Sequence, residues 1–345
     1  MSETVKSTPR VLLVSPLTFS YHVSICDALR QIGFDPTWWN DKASTSTLYK
    51  LALRLLPRLT RLITEKHFID QIDRMPSGSV DHVLLIKAEG LNARVVRHLR
   101  ERHPRATLGL YLWDGMENVY GIGELAPLAD AVSSFDPVDA RKNGWNYRPL
   151  FARNIAVSAT DQAPKAFEWC FIGTIHSDRH RVISRLRRVS GGAAHSFVFA
   201  YFQSPLVLRI RKLFDWTLWS APSGTLSTTP MPAPDVARII ARTKAVLDVE
   251  HPRQRGLTMR TIETLLAGKK LLTTNQHLLD CDLYDASRAQ IIERSAPRID
   301  HAFLSQPVMP IPKEVRDRYS CEAWVKELID VQSHRVRSPR QGGNT

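Results

Sequence analysis

The segment DVEHPRQRGLTMRTIETLLAGKKLLTTN, from Asp248 to Asn275, reads as a strand end, a polar loop, a helix and a second strand. Ala245–Val249 is apolar and strand-sized. Residues 250–257 are polar and hold Pro252 and Gly256. Thr258–Ala267 then places Met259, Ile262, Leu265 and Leu266 on one helical face. Gly268 stands where a helix C-terminus takes positive φ, and Lys270–Thr274 resumes as a strand. This is one βαβ unit of a parallel sheet. Its loop and helix also carry chemistry. Amides at Gly256, Leu257 and Thr258 form the positive end of a helix, a seat for an anion such as a diphosphate. Arg260 and Glu263 are left near the loop side, and a carboxylate there can accept from the paired hydroxyls of a ribose. A plainer alternative stays open: Thr258 as an N-cap only, and Glu263 as the i−3 partner of Arg260.

The same pattern extends in both directions. Upstream, Trp169–Ile172 is a strand running into Gly173–Thr174, and a basic helix follows. In the first half, VLLVS at 11–15 is followed by a helix with Val23, Ile25, Cys26, Leu29 and Ile32 that closes at Gly33. Strands are expected at 36–39, 83–87, 107–113 and 132–135, with helical or turn signals between them. Residues 152–168 lose periodicity and read as a linker. The expected fold is therefore α/β, with two Rossmann-like domains facing across a cleft. Residues 1–152 form the first domain, 165–331 the second, and 332–345 a disordered basic tail.

The chain has 345 residues, 47 Lys+Arg and 34 Asp+Glu, for a formal net charge of +13. Its 8 Trp, 12 Phe and 8 Tyr exclude disorder of the whole chain, since that apolar surface needs a core. No apolar run approaches the ~18 residues of a membrane span. MSETVKSTPR mixes acid and base, so no secretory signal is expected. Cys26, Cys170, Cys281 and Cys321 are dispersed without metal spacing and read as reduced thiols of a cytosolic protein. The positive balance suits anionic lipid or diphosphate. It also suits a peripheral position on the inner membrane face. Leu48–His67 is read either as a helix packed on the sheet or as a membrane-surface helix, with Pro57 allowed only in a first turn.

Four stretches together resemble a family: GLTMRTIETLLAGKKLLTTN, YLWDGMEN (Tyr111–Asn118), SSFDPVDARKNG (Ser133–Gly144) and FIGTIHSDR (Phe171–Arg179). In this order they resemble GT-B glycosyltransferases, nearest to bacterial lipopolysaccharide and capsular-polysaccharide biosynthesis proteins and distantly to CgeB-type proteins. The resemblance implies a hexosyltransferase-type enzyme with an N-terminal acceptor domain and a C-terminal nucleotide-sugar domain. Its acceptor would be a glycan or a lipid-linked sugar. The donor side would be Gly173, Thr174, Arg179, His251, Gly256, Leu257, Thr258, Arg260 and Glu263. Arg179 and Arg260 would neutralise the leaving diphosphate and Glu263 would hold the ribose. No metal and no cofactor beyond the donor sugar-nucleotide would be required. Candidate bases are His22 after the first strand and Asp114 after a strongly apolar one, with Glu117 and Asp136 behind them.

Rival readings are set by specific residues. Asp280-Cys281-Asp282 is a DxD triplet, and His176 with His180 forms an i, i+4 pair on a predicted helix. Either could hold a metal, but neither has a further ligand in pattern. A nicotinamide dehydrogenase needs GxGxxG after the first strand, and SPLTFSYH at 15–22 has no glycine. A non-catalytic GT-B-like protein, or one that binds nucleic acid or another anion, would use the basic 179–212 stretch. No nucleic-acid module accompanies that stretch, so no nucleic-acid partner is expected. Phe197, Phe199, Tyr201 and Phe202 read as strand residues rather than a stacking platform.

Overall fold

The computed structural model describes residues 8–17, 20–44, 57–119, 121–153, 164–192 and 195–337. The chain forms two compact units, one of residues 1–153 with 318–345 and the other of 154–317.

The first unit holds β1 (Arg10–Ser15), α1 (Tyr21–Gln31), β2 (Asp35–Asn40), α2 (Pro57–Arg74), β3 (His82–Ile86), α3 (Ala93–Arg102), β4 (Thr107–Leu112), α4 (Ile122–Leu125), β5 (Ala131–Ser134), α5 (Pro137–Asn143) and β6 (Asn146–Tyr147). All pairings are parallel, in the order β2-β1-β3-β4-β5-β6. Val11–Val14, Val83–Ile86 and Leu108–Leu112 are buried throughout, as continuous apolar strands under helices should be. The strand order reverses between β1 and β3, and in such sheets ligands bind beyond the strand ends at the reversal.

The second unit holds β7 (Phe167–Thr174), α6 (Arg179–Val189), β8 (Ser196–Tyr201), α7 (Pro205–Phe214), β9 (Leu226–Ser227), α8 (Ala233–Ala241), β10 (Thr243–Asp248), α9 (Met259–Leu266), β11 (Lys270–Thr273), β12 (Ala289–Ile291), α10 (His301–Ser305) and α11 (Lys313–Arg318). Its order is β12-β11-β10-β7-β8-β9, again parallel, with the reversal between β7 and β10. Trp169, Val182, Leu186, Leu247 and Leu272 form its core. Gly268 ends α9 at φ 67.

Two boundaries differ from the sequence reading. The C-terminal segment α12 (Cys321–Arg337) belongs to the first unit, so the second ends at Asp317 rather than 331. The reason is apolar burial. Trp324 is fully enclosed, its ring 4.7 Å from that of Tyr111 and 4.8 Å from that of Phe151. Arg148 pairs with Glu327 at 2.9 Å. The tail expected from 332 is helical to Arg337, with Gln332 buried over Gly109, where a Cβ would lie 2.5 Å from the Gln332 amide oxygen. Residues 338–345 lie outside the described residues.

In the 48–67 segment, residues 48–56 lie outside the described residues. Pro57 is the first residue of α2, where its missing N–H costs nothing. Phe68 and Ile72 of α2 enter the core of the first unit, so this helix packs on the sheet. No helix among the described residues is long and apolar enough to cross a membrane.

Candidate functional site

At the reversal of the second sheet the ends of β7 and β10 lie side by side. Asp248, the last residue of β10, is buried. Its Oδ2 accepts from the Thr258 hydroxyl and, at 2.7 Å, from the Thr261 hydroxyl. Thr258 in turn caps α9, its Oγ1 accepting from the Thr261 amide at 3.1 Å. One carboxylate therefore ties the start of α9 to the end of β10. It fixes where the free amides of the first helical turn stand. The loop before the helix is held from β11: the Asn275 amide donates to the carbonyls of Arg255 (3.2 Å) and Gly256 (3.3 Å).

Arg260 is the second residue of α9. It has no hydrogen-bond or ion-pair partner among the described residues, so the i−3 pairing with Glu263 does not form. A part-exposed arginine in the first turn of a helix adds its charge to the positive end of the helix dipole. Glu263 is only 7% exposed, in a run from Thr261 to Leu265 that is buried all round. Leu257 is buried as well, at 2% exposure.

Arg179 is committed elsewhere. Its Nε donates to the Val249 carbonyl at 2.5 Å and its Nη1 to the Thr174 carbonyl at 2.8 Å, which staples the ends of β7 and β10 together. Burial lowers its pKa, while Asp248 and Glu250 oppose that shift. Gly173 has a packing reason: a Cβ there would lie 3.3 Å from the Phe171 ring. His251 faces His176 with ring centroids 5.6 Å apart. Burial, helped by Arg179, His251, Arg211 and Arg294, takes His176 down to about 3, so it is neutral in ordinary buffers.

His176 lies before α6 rather than on a helix, and His180 turns to the Thr217 hydroxyl at 2.9 Å. The two do not converge on one point. Among the described residues no group of three or more His, Cys, Asp or Glu is placed to hold a metal. The basic 179–212 stretch is partly spoken for: Arg179 is held in the staple, and Arg181 pairs with Asp215 at 3.5 Å.

Beside this cluster, beyond the ends of β10, β11 and β12, opens a cavity of about 620 Å³. Its wall includes Glu250, Arg255, Asn275 and Arg294, and none of the donor-side residues predicted from sequence. Arg294 organises it. One guanidinium nitrogen reaches Asp178 at 2.8 Å, and the other reaches Glu250 Oε1 at 2.5 Å and the Glu250 carbonyl at 3.0 Å. Thr274 donates to the second oxygen of Glu250 at 2.5 Å. Sequence reasoning missed this network. Its members lie 24, 44 and 116 residues apart and share no local pattern.

The first unit presents different chemistry at its own reversal. Lys87 follows β3 at φ 63, with the Ala88 amide donating to the Ile86 carbonyl at 2.7 Å. This is the γ-turn with positive φ, rare and strained in a non-glycine residue. Lys87 reaches Asp114 at 2.7 Å and Glu89 at 3.8 Å, and Lys42 reaches Glu89 at 2.8 Å. Burial pulls the Lys87 ammonium down, but Asp114, Glu89 and Asp41 outweigh it and hold it above its ordinary value. Gly90 lies against the Asp41 carbonyl, where a Cβ would stand 2.0 Å from the oxygen. Asp41 itself is fully buried, with no hydrogen-bond partner for either carboxylate oxygen among the described residues. Burial pushes its carboxyl up to about 6.

Of the predicted bases, Asp114 is thus tied to an ammonium. His22 lies in the first turn of α1, its ring stacked on Trp38 at 4.1 Å, and burial lowers its pKa. Glu117 lies in a short helical turn after β4, and Asp136 caps α5, accepting from the Val138 and Asp139 amides.

Neither a protein-family profile nor a curated protein matches the sequence. Solved structures do match, along nearly the whole chain. A glycosyltransferase from Rickettsia africae aligns at TM-score 0.57 and 10% identity, over 96% of this chain and 100% of that one. The chain has a GT-B-type fold. An α,α-trehalose-phosphate synthase (UDP-forming) from Burkholderia vietnamiensis aligns at TM-score 0.59 and 12% identity, over 97% and 100% of the two chains. An Anabaena protein in complex with UDP and glucose aligns at TM-score 0.50 and 9% identity, over 96% and 99%. At such identities the likeness is one of fold.

Proposed function

We propose that this chain is a glycosyltransferase that moves a sugar from a nucleoside-diphosphate donor to a cell-surface glycan or lipid-linked acceptor, of the kind built in lipopolysaccharide or capsule synthesis. The observation that carries this reading is Arg260. It is a cation with no hydrogen-bond or ion-pair partner among the described residues, on the first turn of α9 at the reversal of a Rossmann-ordered sheet, with the helix start held by Asp248. In this reading the diphosphate lies on the α9 amides and Arg260, and Glu263 meets the ribose. Arg179 positions the strand ends rather than touching phosphate. Gly173, Thr174, His251, Gly256, Leu257 and Thr258 shape the backbone around it. Arg260 and the helix amides supply the positive charge that a divalent cation would otherwise bring. The UDP found with the Anabaena protein, and the UDP formed by the trehalose-phosphate synthase, make uridine the first base to try.

The chemical step balances simply. The acceptor oxygen forms a bond to the anomeric carbon, the bond from that carbon to the diphosphate oxygen breaks, and the nucleoside diphosphate leaves with the electron pair. The acceptor proton goes to a general base, for which His22 and Asp114 are the candidates. His22 is the better candidate. Its burial-lowered pKa keeps the ring neutral and able to accept, whereas Asp114 already holds Lys87. The test is nucleoside-diphosphate release from UDP-, GDP-, ADP- and dTDP-sugars in EDTA, with and without cell-envelope glycolipid. Release from one donor, stimulated by glycolipid and reduced at least ~100-fold in Glu263→Gln, is expected. Release that is equal in wild type and Glu263→Gln, or absent from every donor, would sink the reading.

A further inference from the structure

Helix α7 faces the wrong way for a soluble protein. Its sequence is PLVLRIRKLF, and Val207 and Leu208 pack on the core of the second unit. At ~100° per residue, Leu206, Ile210, Leu213 and Phe214 then fall on one outward arc about 100° wide. They are indeed exposed, Leu213 at 77% and Phe214 at 75%. The turn behind the helix adds Trp216 at 83% exposure and Trp219 at 68%. Scattered single apolar residues on a surface need no explanation, but six large ones on one helix and its following turn do.

The charge around them is one-sided. Arg209 is exposed beside the arc, and Lys212 lies 4.8 Å over the Trp219 ring. Between Val189 and Pro234 the sequence holds one acid, Asp215, and that residue is buried, with Arg181 at 3.5 Å and the Thr217 hydroxyl as partners. The patch therefore joins an aliphatic arc, two tryptophans and cations without an exposed carboxylate. A second copy docked here would set Arg209 and Lys212 against their own kind. Nucleic acid would find cations and three aromatic rings, but it would leave the aliphatic side chains Leu206, Ile210 and Leu213 without a partner. An anionic bilayer matches all three parts. Acyl chains take the aliphatic arc, the headgroup level suits tryptophan, and phosphate suits Arg and Lys.

We propose that α7 and the Trp216–Trp219 turn form a membrane-interface element that seats the second unit on a bilayer rich in anionic phospholipid. The proposal stands apart from sugar transfer, because vesicle binding needs no turnover. The test is co-sedimentation of the full chain with phosphatidylcholine vesicles and with mixed phosphatidylcholine–phosphatidylglycerol vesicles. Wild type should partition at least ~10-fold more strongly to the anionic vesicles, and less so as salt rises. The triple variant Leu213→Ser/Phe214→Ser/Trp216→Ser should bind at least ~10-fold more weakly. Arg209→Glu/Lys212→Glu should lose the preference for anionic lipid. All these side chains except Lys212 lie on the exposed surface, so both variants should melt like wild type, and a melting curve checks that they do. Brominated lipid should quench wild-type tryptophan fluorescence more than that of Trp216→Phe/Trp219→Phe. Equal binding of wild type and triple variant, or no binding of wild type to anionic vesicles, overturns the proposal. So does a wild-type dimer that the triple variant abolishes while vesicles leave both unbound.

Discussion

At the reversal of the first sheet, Lys87 is held by Asp114 and Glu89 while neither carboxylate oxygen of buried Asp41 has a hydrogen-bond partner among the described residues; at the reversal of the second, Arg260 in the first turn of α9 has no hydrogen-bond or ion-pair partner among them, and a cavity opens near that helix. The topologies are alike, since both sheets are parallel and six-stranded and both reverse beside their first strand. The electrostatics are opposite. The first edge neutralises its cations internally and stores an acid that dislikes its charge. The second spends its carboxylates on fixing the backbone and leaves a cation over. Topology therefore says where each unit can bind, and the charge left unpaired says what.

The comparison can be broken first at Arg294. Arg294→Ala leaves Glu250 and Asp178 facing each other without their shared cation, and Glu250 is buried. A loss of about 3–5 kcal/mol is expected in denaturant unfolding of the second unit. Arg294→Lys should recover little, because one ammonium cannot span both carboxylates as the guanidinium does. Full recovery would mean that the network matters less than its geometry implies.

Asp41 tests the other edge. Its carboxyl is pushed up to about 6 from 3.8, so the folded state holds a proton that the unfolded chain has lost. The destabilisation is absent below about pH 3.8 and complete above about pH 6, and two pKa units correspond to about 3 kcal/mol. Asp41→Asn should therefore raise stability by about 3 kcal/mol at neutral pH and by almost nothing near pH 4. A uniform change at both pH values would show that its charge is not strained.

His176 should give the smaller effect, with the opposite sign. Its folded pKa lies near 3 against 6.5, so the unfolded chain takes up the proton first as pH falls. Stability is kept above 6.5 and lost on the way down toward 3, by roughly 0.5 kcal/mol per pH unit once solvent screening of this part-exposed ring is allowed for. Melting curves of His176→Asn between about pH 4 and 6.5 should be flatter than wild type. Acid should thus favour the first edge and disfavour the second.

Most of the fold was legible. The central strands β1, β3 and β4 are largely apolar runs, and Gly33 and Gly268 punctuate helix ends as their positive φ requires. The end of the second unit was not, because Trp324, Val325, Leu328 and Ile329 show an amphipathic helix without showing which core receives it. At the site, Thr258 as cap and Arg260 as free cation follow from their places in one helix. Arg179 looked like a phosphate ligand because charge shows in a sequence, whereas the two carbonyls that occupy it do not. Glu250, Arg294 and Asp41 carried no motif, and their roles arise from burial and from partners distant in the chain.

The most direct measurement is thermal stabilisation by UDP, GDP, CMP, ADP and dTDP in EDTA, on wild type, Arg260→Ala and Asp41→Asn. One nucleotide should stabilise wild type and Asp41→Asn equally, by about 2.7 kcal/mol at 100 times its dissociation constant, and Arg260→Ala far less. Equal stabilisation of all three proteins, or none from any nucleotide, would contradict a donor site at the free cation of the second sheet.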